Sequence, residues 1–207
     1  MCKRARAYDA ADDLHRTQLA DLWVRILNHV HEQGWAAGSC QGTIHHLGYQ
    51  FRGFYDSAYL MRDALAARGL LDAVREDLAW FTGLGRLLQD FDDAESYGGI
   101  FDILNTNLQG MLATALLMPT PAGQVAHLHA LRRWLDAALT VSPGIMDGFK
   151  ADGSVFHHLG MYPDYARDGY KGSSPTVAAL SRTAFAVAPA AHRLYRAGLL
   201  RMRVYAN

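Results

Sequence analysis

The sequence predicts an all-α domain, because three features of the 207-residue chain agree. Apolar residues recur at helical spacing along most of its length, glycine and proline punctuate these runs, and alternating runs of β-branched residues are few. Half of the residues are hydrophobic, which suits one domain with a real core. We expect a single helical domain over residues 1–207, built as an incomplete (α/α) toroid of helical hairpins with two long site-bearing loops.

Seven helical segments follow from this spacing, and most of them end at glycine or proline. The third can be interrupted near Gly83 and Gly85, whereas Pro175 and Pro189 open the last two, where a missing N–H costs nothing. Two long segments, residues 35–53 and 147–174, are predicted to be irregular, and we interpret them as functional because they carry histidines and aromatics. The seven helices cover residues 9–33, 54–68, 70–89, 97–118, 123–141, 175–187 and 189–205.

Charge and composition argue against several partners. The 20 basic and 20 acidic residues balance, whereas a strong nonspecific nucleic-acid binder shows a net basic footprint, so we expect no nucleic acid. No stretch approaches the roughly 20 apolar residues of a membrane-spanning helix, so we expect no membrane. Cys2 and Cys40 give no disulfide framework, and the basic start of the chain is not followed by the apolar run of a signal peptide.

The sequence His-His-Leu-Gly occurs twice, at residues 45–48 and 157–160, once in each irregular segment. Tyrosine follows each copy closely. Histidine titrates near neutrality, and tyrosine acts as a base only where a neighbour lowers its pKa. Together they suggest removal of a weakly acidic C–H proton or protonation of a leaving oxygen. Because neighbouring side chains of an extended segment point to opposite sides, His157 and His158 are not expected to serve one site equally.

Paired histidines also leave open a metal-binding helical protein, since imidazole is a common zinc ligand. The sequence contains no HExxH motif, and no carboxylate lies at ligand spacing on a helix with these histidines. We therefore prefer proton transfer and expect no cofactor and no metal.

The segment from Asp152 to Tyr165 resembles the catalytic loop of a polysaccharide lyase family, the one that contains chondroitin sulfate ABC lyases, hyaluronate lyases and chondroitin AC lyases. It matches every fixed position of the ABC-branch pattern Asp-Gly-x-x-x-x-His-x-Gly-x-Tyr-Pro-x-Tyr. Residues 45–49, followed by Arg52, are similar to a second site loop of that branch. The resemblance covers most of the chain. It implies cleavage of uronic-acid polysaccharides by β-elimination, in which the C5 proton is removed and the bond to the C4 oxygen breaks.

The resemblance assigns the catalytic histidine to His158 and the general base, general acid or both to Tyr165. The developing anion needs electrostatic stabilisation, and an asparagine amide helps in some branches. Asn105 and Asn107 are placed to do so, although interhelical hydrogen bonding explains them equally well. Aromatic side chains that could stack on sugar rings are Trp35, Tyr49, Tyr55 and Tyr162. The expected substrate-binding residues are His45, His46, Tyr49, Arg52, Asn105, Asn107, His157 and Tyr162.

Members of this family are much longer than this chain. They carry β-sandwich domains after the helical domain and use a catalytic arginine downstream of the tyrosine; the ABC branch adds a glutamate. We therefore expect the chain to be a fragment of a longer lyase, with the C-terminal part as its partner and an acidic glycosaminoglycan as its substrate. The alternative is a non-catalytic carbohydrate-binding remnant. The family also implies secreted or periplasmic localisation.

Overall fold

The computed structural model describes residues 12–40, 44–89 and 99–205, with all side chains in those ranges except those of residues 44 and 45. Most of this part is helical, which confirms the all-α prediction, while the toroid arrangement stays a prediction. No helix in these ranges is long and apolar enough to cross a membrane. In chain order the helices are α1 (Asp13–Glu32), α2 (Ile44–Leu60), α3 (Arg62–Ala67), α4 (Leu71–Thr82), α5 (Ile100–Thr106), α6 (Leu108–Leu116), α7 (Pro121–Ala138), α8 (Pro163–Leu180) and α9 (Pro189–Tyr205), with a 3-10 helix over Leu84–Leu88.

Several helix ends follow from local chemistry. The Asp12 carboxylate caps α1 by accepting from the backbone N–H of His15 at 2.9 Å. Thr120 caps α7 in the same way, directly before Pro121 in the first turn. Gly83 has a positive φ of 64° and separates α4 from the 3-10 helix, so the predicted interruption of the third helix is confirmed.

Helix α2 corrects the first irregular segment, because residues 44–53 are helical. The glycine at position 48 serves a close helix contact rather than a turn. A Cβ atom there would lie 2.8 Å from the carbonyl oxygen of Thr106, at the end of α5. Glycine is a weak helix former, so Gly48 and Gly53 argue against a helix, although Ile44, Leu47 and Phe51 follow helical spacing. Packing against α5 and α6 stabilises the helix.

The second irregular segment is also corrected. Its first part forms an antiparallel sheet in the order β1-β2-β3, with strands too short for an alternating pattern to reveal them. Its second part belongs to α8, so the predicted helix over residues 175–187 is wrong at both ends, and Pro175 lies inside α8. The strands are β1 (Gly148–Phe149), β2 (Val155–His157) and β3 (Gly160–Met161).

The helix predicted over residues 97–118 divides at Asn107 into α5 and α6. Helix α8 packs directly against α5: a Cβ atom on Gly172 would lie 2.6 Å from the carbonyl carbon of Asn105 and closer still to the Asn105 Cα and oxygen. Phe101 likewise fills the space beside Gly169, one turn earlier on α8. These two glycines therefore allow the backbones of α5 and α8 to approach closely.

Two clusters of buried side chains form the core of the described residues. One lies mainly among α1 to α4 around Trp35, whose ring stacks on Phe51 and Phe81 with centroids 4.7 and 4.6 Å apart. The other involves α5 to α9 and the sheet, with Phe101 and Phe149 in contact at 5.0 Å. Tyr165 packs at the edge of this second cluster, so the sheet and the start of α8 meet beside it.

Candidate active site

The hairpin between β2 and β3 has a tight turn. His157 pairs with Gly160, which leaves His158 and Leu159 as a two-residue loop. Both have positive φ angles, 51° and 61°, as a type I′ turn requires. Histidine tolerates this conformation better than leucine, for which it is uncommon. Such backbone persists only where its surroundings hold it, and it clusters at functional sites.

The turn separates the two adjacent histidines. His157, at the end of β2, is only 1% exposed, whereas His158 lies on the surface. Their ring centroids are nevertheless 4.1 Å apart. The two side chains therefore differ in exposure, and their unequal roles at one site stay a prediction. The burial of the first imidazole corrects the substrate-binding prediction for His157, because an enclosed imidazole has no surface to offer a polysaccharide.

Two carboxylates flank the buried imidazole. Its Nδ1 lies 3.0 Å from Asp147 Oδ2, and its Nε2 lies 3.4 Å from Asp102 Oδ2. These are ion-pair contacts rather than well-aligned hydrogen bonds, because the oxygens lie off the N–H directions. Burial lowers the pKa of His157, but Asp102 and then Asp147 outweigh that effect and raise the pKa above its usual value. The arrangement therefore favours the imidazolium form.

Asp147 joins this ion pair to the strained turn. Its Oδ1 accepts from the backbone N–H of Leu159 at 3.3 Å, while its Oδ2 accepts from the N–H of Gly99 at 3.4 Å as well as contacting His157. One buried carboxylate thus holds a turn residue, the start of α5 and an imidazole. The positive φ at Leu159 is stabilised from outside the hairpin.

Tyr165 lies in the first turn of α8, which Pro163 begins. Its ring centroid is 4.0 Å from that of His157, 5.3 Å from His158 and 4.8 Å from Tyr162. Tyr165 is half-buried, whereas His158 and Tyr162 are exposed. The phenol ring therefore packs beside both the enclosed and the exposed imidazole, and the motif residues form one ring cluster.

The pKa of Tyr165 is raised, first by burial and then by the negative charge of Asp102. Tyr49 and Tyr162 act in the same direction. The lowered pKa that a tyrosine base needs is thus not provided by the described residues. In this environment Tyr165 holds its proton and is suited to donate it.

Helix α2 brings two of the predicted binding residues to this cluster. The Asn105 amide donates to the Tyr49 hydroxyl at 3.0 Å, and the Arg52 guanidinium lies 5.3 Å from the centroid of the Tyr49 ring. Residues three apart on a helix share a face, so Arg52 and the exposed His46 lie on the same side of α2 as Tyr49. The side chain of His45 is outside the described part.

The contacts of Asn107 correct the prediction that it binds substrate. It is 0% exposed, and its amide donates to the carbonyl oxygens of Phe81 at 3.4 Å and Thr82 at 3.2 Å, at the end of α4. Its own oxygen accepts from the Thr106 hydroxyl. The side chain therefore joins helices, which is the alternative that the sequence left open, and it has no face toward a ligand.

The prediction that two of the aromatic side chains stack on sugar rings is corrected in the same way. Trp35 and Tyr55 are buried at 2% and 0% exposure, so they belong to the core instead of stacking on sugars. Tyr49 and Tyr162 keep 40% and 41% of their surface exposed and can contact a sugar ring. The aromatic surface available at the site is therefore supplied by α2 and the approach to α8.

Replacing Asn107 with alanine is expected to reduce the free energy of unfolding by about 1–3 kcal/mol, because two buried carbonyls lose their donor. Chemical denaturation measures this loss, and the affinity of the ring cluster for a ligand should not change. Gln109→Ala, which removes a half-buried amide from α6, is the control and should change stability by less than about 0.5 kcal/mol. Weaker ligand binding at an unchanged free energy of unfolding would instead show that Asn107 contacts the ligand.

Sequence reasoning missed Asp102 and Asp147. Asp102 precedes Asn105 by three residues on α5, a spacing that places both on one helix face and could have revealed it. Asp147 has no such signal, since its role depends on the hairpin. Within the described ranges, no three His, Cys, Asp or Glu side chains are grouped so as to hold a metal ion.

Comparison with known proteins agrees with the motif. A chondroitin sulfate ABC exolyase of Bacteroides thetaiotaomicron is 35% identical over 192 residues, which are 93% of this chain and 19% of that protein. The ABC exolyase of Proteus vulgaris is 35% identical over 197 residues, 95% of this chain and 20% of its own length. The ABC endolyase of Proteus vulgaris is 30% identical over 206 residues, 98% of this chain and 20% of its length.

The chain thus spans about a fifth of the length of the curated relatives that it matches. These similarities confirm the predicted resemblance to the ABC branch. The sequence model of the family described as "Lyase, catalytic" matches residues 1–207 in full. On this match, the chain belongs to that family of lyase catalytic regions.

Proposed function

We propose that this chain contributes the proton-transfer site of a glycosaminoglycan lyase that acts by β-elimination on a uronic-acid polysaccharide. The observation that carries the proposal is the ring cluster, in which the ring centroids of exposed His158 and half-buried Tyr165 lie 5.3 Å apart. Tyr49, which contacts Arg52 and Asn105, acts on the same tyrosine. A polysaccharide needs such an open, polar and aromatic surface, and β-elimination needs groups that accept and donate protons.

The reaction balances without a cofactor. A base takes the C5 proton, and the electron pair left behind forms the C4–C5 double bond as the bond from C4 to its oxygen breaks. The departing oxygen then takes a proton. Tyr165 is suited to this last step, because its raised pKa keeps the phenol protonated. His158 assists on the exposed side of Tyr165, where a substrate can reach both groups.

Stabilising the charge on the uronate is the harder requirement, because the C5 proton is only weakly acidic until the carboxylate charge is offset. The guanidinium of Arg52 and the amide of the largely buried Asn105 offer donors at Tyr49, and Tyr49 in turn acts on Tyr165. For Tyr165 to act as a base as well, a positive charge must come close to it, and the resemblance assigns this to an arginine downstream of the tyrosine. Within the described residues, we propose that Arg52 is the basic residue that contacts the uronate carboxylate.

A carbohydrate-binding role without turnover is the second candidate, and one observation favours it. The charged groups that act on the pKa of Tyr165 are acidic, so they oppose the phenolate that proton removal requires. The exposed faces of Tyr49 and Tyr162 would still bind a sugar in the absence of chemistry.

The test follows ultraviolet absorbance from the unsaturated uronate while the protein is incubated with chondroitin sulfate, dermatan sulfate or hyaluronan, and measures binding of a chondroitin sulfate oligosaccharide in parallel. Product formation supports the lyase, and binding without product supports the second candidate. If neither product nor binding is observed, both candidates are overturned. Arg52→Ala is expected to weaken binding about tenfold, equivalent to roughly 1.4 kcal/mol.

The matched control for that variant is Arg62→Ala. Arg62 also lies over a tyrosine, at 4.8 Å from the Tyr59 ring centroid, but it is on α3 and is not among the site residues. The control should bind as the unmodified protein does. Equal losses in both variants would contradict the role of Arg52.

A further inference from the structure

The trio of Asp102, Asp147 and His157 is not used by the proposed chemistry. His157 and Asp147 are both buried, and Asp102 is largely enclosed, with 17% of its side chain exposed. Two carboxylates held on opposite edges of one imidazole repel each other unless that imidazole is positively charged. The trio then carries one net negative charge with the imidazolium and two with the neutral ring.

A mechanical connection leads from this trio to the exposed histidine. Asp147 contacts the His157 ring with one oxygen and accepts from the Leu159 N–H with the other. Leu159 and His158 are the two turn residues with positive φ. The orientation of His158 therefore depends on Asp147, and Asp147 is itself held by His157.

An electrostatic connection leads to the tyrosine. Asp102 contacts the His157 ring and also acts on Tyr165, whose ring centroid lies 4.0 Å from that of His157. With a neutral His157, the negative charge of Asp102 would act more strongly on the phenol and on the incoming anionic sugar. An imidazolium at His157 weakens that effect, because its positive charge lies against the same carboxylate.

We propose that His157 is a positioning residue whose positive charge, held between Asp102 and Asp147, fixes the strained turn that presents His158 and shields Tyr165 from Asp102. It contacts no substrate. The proposal rests on the lyase function proposed above and adds the group that makes the site depend on pH.

The direction of that dependence follows from the raised pKa of His157. A raised pKa in the folded state means that the stabilisation is fully present below the unfolded-state value and is lost as pH rises through the folded-state value. We therefore expect both the turn and the activity to weaken on the alkaline side. The groups that face His157 are Asp102 from α5, Asp147 before β1, His158 from the turn, and Tyr162 and Tyr165 at α8, with Lys150 acting on Asp147.

Two substitutions separate charge from shape. His157→Gln keeps a polar side chain without charge, and kcat/KM near neutral pH is expected to fall roughly 10- to 100-fold, the scale of a misplaced catalytic group. His157→Arg keeps the charge at every pH, so it should retain more activity than the glutamine variant and should lose the alkaline decline of the kcat/KM profile that is due to His157. An alkaline decline identical to that of the unmodified protein would overturn the proposal.

The matched control is His31→Gln on α1. His31 also pairs with a buried carboxylate, Asp77, at 2.7 Å, but its ring stacks on Trp35, a member of the other core cluster. This variant should lose stability without any change in the shape of the pH profile. A similar change of profile in both variants would reduce His157 to a structural residue and overturn its positioning role.

Nitrogen NMR of the histidine rings in the unmodified protein gives a readout that needs neither turnover nor a variant. His157 is expected to titrate at a higher pH than an ordinary histidine, and Asp102→Asn should shift its titration to lower pH. A His157 titration at or below that of an ordinary histidine overturns the proposal even if lyase activity is present. An imidazolium that alters the His158 signals as it titrates, in a protein without lyase activity, would refute the proposed function while supporting the positioning contact.

Discussion

Tyr165→Phe is expected to lower kcat for chondroitin sulfate by at least about 100-fold, within the range that general acid–base groups contribute. Phenylalanine preserves the ring that packs against His157 and Tyr162 at 4.0 and 4.8 Å, so the site should keep its shape. Only the phenolic hydroxyl, with the proton that it can donate, is lost. Ultraviolet absorbance of the product measures turnover, and oligosaccharide binding should remain close to that of the unmodified protein.

Tyr59→Phe is the control for this result, because Tyr59 is also a half-buried tyrosine but pairs with Arg62 outside the site. It should leave turnover unchanged. If Tyr165→Phe retains activity, its assignment is refuted and His158 must exchange the proton alone. If binding and turnover fall together, the hydroxyl instead contributes to holding the substrate.

Gly172→Ala is expected to cause a large loss of stability, about 1–3 kcal/mol or more, because overpacking displaces backbone. The added Cβ would lie 2.6 Å from the carbonyl carbon of Asn105, and a backbone atom cannot move aside as a flexible side chain can. Helix α8 must then separate from α5. For a chain of this length each kcal/mol corresponds to roughly 2–4 °C in Tm, which thermal denaturation measures.

Gly85→Ala is the matched control. Position 85 lies in the 3-10 helix, is exposed, and has no atom within 4 Å of the added Cβ. It should melt within a few degrees of the unmodified protein. Because Asn105 also donates to Tyr49, Gly172→Ala should additionally weaken sugar binding in whatever fraction remains folded. Unchanged melting would contradict the close approach of α5 and α8.

The helices that the sequence predicts well are those whose apolar spacing is uninterrupted and whose ends are chemically marked. Helix α1 is of this kind, and so is α9, which begins at the predicted Pro189. The first parts of α2 and α8 are not predicted, because glycine and serine, which normally favour loops, occur inside these helices. In α8 the Ser173 and Ser174 hydroxyls bond to carbonyls four residues earlier, which adapts them to the helix.

Some residues of the candidate site could likewise be predicted from the sequence, and others could not. His158 and Tyr165 could be assigned because their spacing belongs to a specific motif, and Tyr49 and Arg52 because they follow the other His-His pair. Asp147 could not, since a single carboxylate in a loop shows its partners only after the hairpin closes. Asn107 stayed ambiguous because residue type alone does not tell a buried helix contact from a ligand contact.

The turn at His158 and Leu159 has a consequence for the portability of this site. Leucine at φ 61° has little intrinsic preference for that conformation, and Asp147 and Gly99 lie outside the hairpin that they brace. A peptide of residues 155–161, or the same hairpin grafted onto another scaffold, would carry His157 and His158 without the geometry that they have here. The smallest transferable unit must therefore include α5 and the start of α8. The geometry of the site depends on residues of the whole domain, whereas the motif alone only identifies where the site lies.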